Sequence, residues 1–156
     1  MTQPGDKRAL AETELAARLL GVTLQYYDAR VPEDIEPILK AVTTERADAM
    51  LVQANRAFYS QRNRVISLAV KHRLPTMSAQ LEYVDSGGLV AYAANISDMY
   101  RRAAYYVDRI LKGTKPADLP IEQPTTFELR VNLNTARALG LTIPPEIMVR
   151  ATRVIR

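Results

Sequence analysis

Side chains able to bind a small molecule are concentrated in three short segments, residues 54–59, 79–83 and 93–97, each of which follows an apolar run. Their amide and guanidinium groups can form directed hydrogen bonds to a polar solute, and their aromatic rings offer flat faces to a ring or an aliphatic stem. Arg56 in particular can clamp a carboxylate. The candidate ligand-binding residues are Asn55, Arg56, Phe58, Tyr59, Gln80, Glu82, Tyr83 and Asn95.

Each candidate also has a purely structural interpretation. Asn55 and Asn95 carry a side chain that favours helix N-caps, and Glu82 suits a solvated position. The aromatic rings can fill the edge of a hydrophobic core instead of contacting a ligand. Both interpretations stay open for each of these residues.

Groups that could perform catalysis are not assembled in this sequence. His72 lies between two basic residues, which favours a solvated or helix-end histidine over a general base. Glu82 and Asp85 share a polar loop, and residues 86–88 lack the Lys-Ser/Thr ending of a phosphate-binding loop. Cysteine is absent, so no thiolate nucleophile or thiolate metal site is available. We therefore predict no enzyme activity, no catalytic or metal-binding residues and no cofactor.

Composition indicates one globular domain, because 47% of the 156 residues are apolar and 24% are charged. The net charge of +4 permits an acidic partner, but the basic residues are dispersed and tryptophan is absent, so we predict no nucleic-acid partner. No run is apolar enough to span a membrane, and residues 1–6 lack the apolar centre of a secretory signal. The chain as written is expected to stay in the cytosol.

The candidate segments must be positioned by helices and strands that alternate along the chain. Apolar spacing, β-branched runs and Gly/Pro stops define these elements. Pro37 is awkward in its helix, which predicts a late start or a kink, and Ser97 is the expected cap of the most strongly patterned helix. Helices are predicted at 10–20, 35–42, 59–71, 97–113, 135–139 and 144–155, and strands at 22–27, 50–52, 74–77, 89–92 and 127–133.

Alternation of this kind predicts a layered α/β fold with a mostly parallel sheet and right-handed crossovers. In such a sheet, ligands bind beyond the carboxyl ends of the strands, where loops and helix starts converge. The three candidate segments all follow predicted strands. The helix from Pro144 is expected to bury Ile147, Met148, Ala151 and Ile155.

Two runs of residues carry a resemblance to a known family. Residues 105–113 (YYVDRILKG), followed by 115–125 (KPADLPIEQPT), resemble a signature of one family of ABC-transporter substrate-binding proteins. Residues 127–133 and 135–144 resemble the carboxy-terminal tail of that family, and residues 87–89 also match it. The resemblance covers nearly the whole chain from about Leu10.

This resemblance implies a three-layer α/β/α fold with a mostly parallel sheet, equivalent to the second lobe of a type I periplasmic binding protein. The chain, residues 1–156, is then one domain without the first lobe, with a crossover helix and linker at 97–126 and a helical tail at 134–156. Family members close two lobes on a solute, deliver it to a membrane permease and act outside the cytoplasm. The implied solute is an amino acid or a small aromatic acid.

The absence of a first lobe has two expected consequences. The family's second lobe begins with a strand in the middle of the sheet, whereas this chain begins with a helix. Residues 22–27 therefore pair directly with 50–53, or a partner supplies a strand, or the chain is part of a longer product. The helix near 97–111 packs on the first lobe in sugar-binding relatives, so its apolar stripe is expected to drive homo-oligomer formation here. That stripe consists of Met99, Ala103, Tyr106 and Ile110.

Two other classes of function remain open from the sequence. A cytosolic effector-binding domain, similar to those of lac-type repressors, would have the same fold, although no helix-turn-helix segment precedes it in this chain. A purely structural dimerisation module is the other alternative, and the missing lobe favours it.

Overall fold

The computed structural model describes residues 4–53 and 56–156, in which eight helices and five strands alternate. The helices are α1 (Pro4–Leu20), α2 (Ile35–Thr44), α3 (Arg56–Ser60), α4 (Arg62–Lys71), α5 (Glu82–Asp85), α6 (Ile96–Leu111), α7 (Leu133–Leu139) and α8 (Pro145–Arg150). The strands are β1 (Met50–Val52), β2 (Thr76–Ser78), β3 (Val90–Ala94), β4 (Phe127–Asn132) and β5 (Arg153–Ile155).

The strands form one sheet in the order β1-β2-β3-β4-β5. β1, β2 and β3 are mutually parallel, β4 is antiparallel to β3, and β5 is parallel to β4. The predicted α/β fold with a mostly parallel sheet flanked by helices is confirmed.

The length of the connection between β3 and β4 explains their antiparallel pairing. The 16 residues of α6 carry the chain about 24 Å away from the end of β3. The extended segment that follows is long enough to bring the chain back over that distance. The Asn95 N–H donates to the Thr126 carbonyl at 2.9 Å, so β4 begins beside the end of β3 and must run in the opposite direction.

The main core lies between β1 and the two helices α2 and α4. In α2 the buried side chains are Ile35, Leu39 and Val42, at the predicted helical spacing. Val65, Ile66 and Ala69 of α4 are buried as predicted. α2 begins at Ile35 after a short 3₁₀ turn, so the late start expected from Pro37 is not observed. Pro37 falls in the first turn of the helix, where the backbone N–H that proline lacks would have no partner within the helix.

The predicted strand at 22–27 is wrong. A strand requires ladder hydrogen bonds to a neighbouring strand, and residues 23–27 form no backbone-to-backbone hydrogen bond to the part of the chain that the structure describes. β1 pairs with β2 and lies at the edge of the sheet, so direct pairing of 22–27 with 50–53 is excluded. Val22, Leu24 and Tyr26 consequently remain exposed.

The predicted helix at 59–71 is divided in two at Gln61, which has φ −104° and ψ 15°. Because of this break, Tyr59 ends up in the short helix α3 and the longer helix α4 begins at Arg62. The predicted cap of α6 is also corrected. Asn95 is the N-cap, because its side-chain oxygen accepts a hydrogen bond from the Asp98 N–H at 2.9 Å, and Ser97 lies inside the helix.

The carboxy-terminal tail ends in a strand, so the prediction that Ala151 and Ile155 continue the last helix is wrong. α8 ends at Arg150, and Arg153–Ile155 extends the sheet as β5. Thr152 sets this pairing, since its N–H donates to the Leu129 carbonyl at 2.8 Å and its hydroxyl bonds to the same backbone. The backbone N–H and C=O groups of the tail thus form hydrogen bonds with the open edge of β4. These bonds replace those that one more turn of α8 would have formed within the tail.

Candidate functional site

The carboxyl ends of β1, β2 and β3 lie side by side because these strands are parallel. They form one edge of the sheet, the one that runs across the strand ends. β1 leads through Gln53 towards α3, β2 leads through residues 79–81 into α5, and β3 leads directly into α6. The fold therefore brings the described parts of the three predicted ligand-binding segments to the same edge.

Tyr59, Arg62 and Tyr83 form an aromatic and cationic cluster at this edge. The Arg62 guanidinium donates from Nη1 to the Tyr59 carbonyl at 3.1 Å, and its carbon lies 4.9 Å from the centroid of the Tyr59 ring. Tyr83 is only 1% exposed and belongs to the main core, against which Tyr59 packs. The cluster thus stands on rigid elements, which is favourable for a binding site.

Among the described residues, three polar atoms of this edge are buried without a hydrogen-bond partner: Arg62 Nε, Gln80 Oε1 and Tyr83 Oη. Folded proteins pair nearly all such atoms, and each unpaired one costs about 1–3 kcal/mol. Burial raises the pKa of Tyr83 to about 12, and the positive charge of Arg62 partly opposes that rise. Tyr83 is therefore a neutral hydroxyl at physiological pH and a hydrogen-bond donor.

Arg62 was missed by the sequence analysis. The candidate segments were limited to the residues that follow strands, and Arg62 was assigned to the interior of a helix. A usable signal was present, because Arg62 lies three residues after Tyr59 and a residue at that spacing is a neighbour on a helical surface.

Asn95 and Glu82 have the structural roles that were left open as alternatives. The Asn95 oxygen caps α6, and its amide nitrogen donates to Glu128 Oε1 at 2.6 Å, so both ends of the amide are engaged within the protein. Glu82 is exposed in the first turn of α5, where a negative charge is favourable.

The structure describes the remaining candidate residues only in part. Phe58 is half-buried and packs against the main core. Asn55 lies outside the described residues, as does the side chain of Arg56, whose backbone begins α3. The structure thus brings Tyr59, Gln80 and Tyr83 of the predicted set to one edge, and it adds Arg62.

A second charged cluster contains arginines whose positive charges are paired with carboxylates of the protein itself. Arg130 of β4, which is 17% exposed, donates to Glu128 at 3.0 Å and to Asp85 at 2.9 Å. Arg153 of β5 also approaches Asp85, at 3.4 Å. These cations are neutralised within the protein and join α5 to β4 and β5, so the cluster is structural.

A cavity of about 310 Å³ lies in the groove between α2 and α4. Its lining residues are Glu36, Leu39, Lys40, Leu68, Lys71 and His72. His72 caps α4 through its backbone N–H and is exposed, in agreement with a helix-end histidine. Among the described residues, no three carboxylate or imidazole side chains are grouped so as to hold a metal ion.

The helix α6 lies outside the core, and none of its residues is buried. Met99 and Ile110 of the predicted stripe are 43% and 40% exposed. The segment after α6 contacts this helix through a bidentate Arg102–Glu122 pair and a 2.6 Å hydrogen bond from Tyr106 Oη to the Pro120 carbonyl. Arg102 holds the pKa of Glu122 below its usual range. The apolar stripe remains accessible beside these contacts.

Comparison with known proteins agrees with this architecture. The chain matches the sequence model of a family described as ABC transporter substrate binding protein over residues 3–155. This match confirms the resemblance inferred from the sequence. No curated protein matches the chain significantly.

Two solved structures are similar at 26% identity. A conserved domain protein from Vibrio cholerae O1 biovar El Tor has a TM-score of 0.85, and the match covers 97% of this chain and 52% of that one. The ABC domain from Streptococcus pneumoniae in complex with L-Trp has a TM-score of 0.84, with 96% and 51% covered.

A third structure supports the fold alone, because its identity is 17%. It is the ligand-free, open form of CD0873, a substrate binding protein with adhesive properties from Clostridium difficile, with a TM-score of 0.73 and coverage of 99% and 52%. The chain thus spans about half the length of the structures it matches. Among the described residues, no helix combines the length and the apolar character that crossing a bilayer requires.

Proposed function

Because the chain belongs to the family of ABC transporter substrate-binding proteins, we propose that it is the solute-binding component of an ABC-type uptake system. The edge formed by the carboxyl ends of β1, β2 and β3 then serves as one wall of a cleft for a small polar solute. The observation that carries this proposal is the presence of three buried polar atoms at that edge, on Arg62, Gln80 and Tyr83, that have no hydrogen-bond partner in the described part of the chain. A bound solute is the kind of partner that would satisfy them.

The proposed solute is an amino acid or a small aromatic acid. The similar domain from Streptococcus pneumoniae is in complex with L-Trp. Tyr59 adds an aromatic surface beside the unpaired groups, which suits a solute with a ring. In this role the protein binds its solute without transforming it.

The partners and location follow from the same family. The similar structures are about twice as long as this chain, so the opposite wall of the cleft comes from polypeptide that corresponds to their other half. The loaded protein would deliver its solute to a membrane permease from outside the cytoplasm.

A thermal-shift screen tests the solute-binding role. Amino acids and aromatic acids are expected to raise the Tm, because a ligand at 100 times its Kd adds about 2.7 kcal/mol to the free energy of unfolding. Sugars serve as the comparison class. Tyr59→Ala is expected to abolish the shift, whereas Tyr100→Ala, which removes an exposed ring of α6, leaves it unchanged. A screen in which no compound raises the Tm would contradict the proposal.

A dimerisation module is the second candidate, and the exposed stripe of α6 favours it. At high micromolar concentration, light scattering is then expected to give a mass above the 17.5 kDa of one chain. Ile110→Glu should restore the monomer by placing a charge in the stripe. Leu111→Glu is the matched control, because Leu111 is 82% exposed and points about 100° away around the helix. A monodisperse wild-type monomer would count against self-association.

A further inference from the structure

We propose that Arg62 is the residue of this site that binds the carboxylate of the solute. The inference rests on the proposed solute-binding function and assigns a recognition residue to the proposed amino acid or aromatic acid. Tyr83 is inferred to donate a second hydrogen bond to the same group.

Arg62 differs from Arg64 and Arg130 in having no carboxylate partner among the described residues. Arg64, two residues further along α4, donates to Glu36 at 3.0 Å. Arg130 is paired with Glu128 and Asp85. By contrast, Arg62 contacts a backbone carbonyl and an aromatic ring, and its Nε is buried without an acceptor in residues 4–53 and 56–156 as the structure describes them.

A partly buried guanidinium without a counter-ion is costly, because burial removes hydration that no opposite charge replaces. The planar N–H groups of arginine match the two oxygens of a carboxylate, which restores both the charge balance and the missing hydrogen bonds. A solute carboxylate is therefore the partner that the local chemistry lacks.

Tyr83 extends this donor set. Its hydroxyl is buried and unpaired, and the charge of Arg62 acts on it, so the two groups belong to one electrostatic environment. A neutral phenol donates a hydrogen bond to an anion without adding a competing negative charge. The acceptor Gln80 Oε1, two residues after β2, is available for an N–H or O–H of the same solute.

The experiment compares two probes that differ in a single group. L-tryptophan carries a carboxylate, and L-tryptophanamide replaces it with a neutral amide while keeping the ring and the amine. Each is titrated into the full chain and followed by NMR chemical shifts, which report weak binding as well as tight binding. The wild type is expected to bind the acid about ten- to a hundredfold more tightly than the amide, the range for a charge-assisted hydrogen-bonded pair.

Single-residue variants test which side chain is responsible for the preference for the acid over the amide. Arg62→Gln is expected to remove the preference for the acid over the amide, and Arg62→Lys should retain part of that preference. Arg64→Gln is the matched control, because it removes the same charge from the same helix at an exposed ion pair, and the preference should persist. Tyr83→Phe should weaken acid binding more than amide binding, because a carboxylate is a stronger hydrogen-bond acceptor than an amide carbonyl.

The outcomes separate this inference from the proposed function. Equal affinity of the wild type for acid and amide, or an unchanged preference in Arg62→Gln, overturns the carboxylate assignment while solute binding stands. Binding of neither these probes nor any compound of the thermal-shift screen contradicts both. If Arg62→Gln does not fold, the wild-type ratio of acid to amide affinity and the Arg62→Lys variant still decide the question.

Discussion

Replacing Tyr83 with Ala is expected to lower the free energy of unfolding by about 3–5 kcal/mol, because it deletes a large aromatic side chain from a packed interior. Tyr83 is 1% exposed and lies in the main core with residues of α2 and α4. Its loss leaves a cavity that α4 and α5 cannot fill without shifting the edge of the sheet. Urea unfolding followed by circular dichroism measures the change.

Tyr83→Phe is the matched control, since it keeps the ring and removes only the unpaired hydroxyl. Eliminating a buried polar atom without a partner is expected to leave stability unchanged or to raise it by about 1 kcal/mol. The same variant is expected to bind a carboxylate probe less tightly, so stability and binding should change in opposite directions. A loss of more than about 1 kcal/mol in Tyr83→Phe would mean that the hydroxyl is satisfied inside the protein.

Gly88→Ala is expected to cost about 3 kcal/mol, because an added methyl group has no space at this position. Its Cβ would lie 2.7 Å from the Tyr83 carbonyl oxygen, 3.1 Å from the carbonyl carbon and 3.2 Å from Ile66 Cδ1. The Gly88 N–H also donates to that carbonyl at 2.7 Å, so the close approach of the two backbones is itself a stabilising contact. The substitution should displace α5 from β3.

Gly113→Ala separates this clash from simple backbone strain. Gly113 has φ +99°, and an added Cβ would meet nothing within 4 Å, so left-handed strain of about 1–2 kcal/mol is the expected loss. Thermal or urea unfolding of the two variants side by side gives the comparison. Equal losses would show that the Gly88 contact is relieved by a small adjustment and would contradict the prediction.

Local patterns were sufficient to predict most of the elements. The spacing of Ile35, Leu39 and Val42 specifies one buried face of α2, and that face is buried as predicted. Gly140 ends α7 in the left-handed conformation that glycine adopts without steric cost. Such features depend on residues a few positions apart and are therefore readable along the chain.

Local patterns did not predict which segments pair as strands. Residues 22–27 have the composition of a strand and remain unpaired, whereas 153–155 were predicted as helix and form β5. In both cases the outcome depends on whether another strand offers its backbone at the right distance. A ladder partner lies far away in sequence, so β-propensity alone does not determine it.

The sequence by itself determined the family, the alternation of helices and strands, and the set of strand-end loops that are proposed to bind a ligand. Only the tertiary structure decided which members of that set have unpaired groups. Both ends of the Asn95 amide are engaged within the protein, and Tyr83 is buried. Arg62, outside that set, lies beside Tyr59 with no carboxylate partner in the part of the chain that the structure describes. The physical reason is that residue type determines which hydrogen bonds a side chain can form, whereas three-dimensional packing determines which of those bonds are formed within the protein.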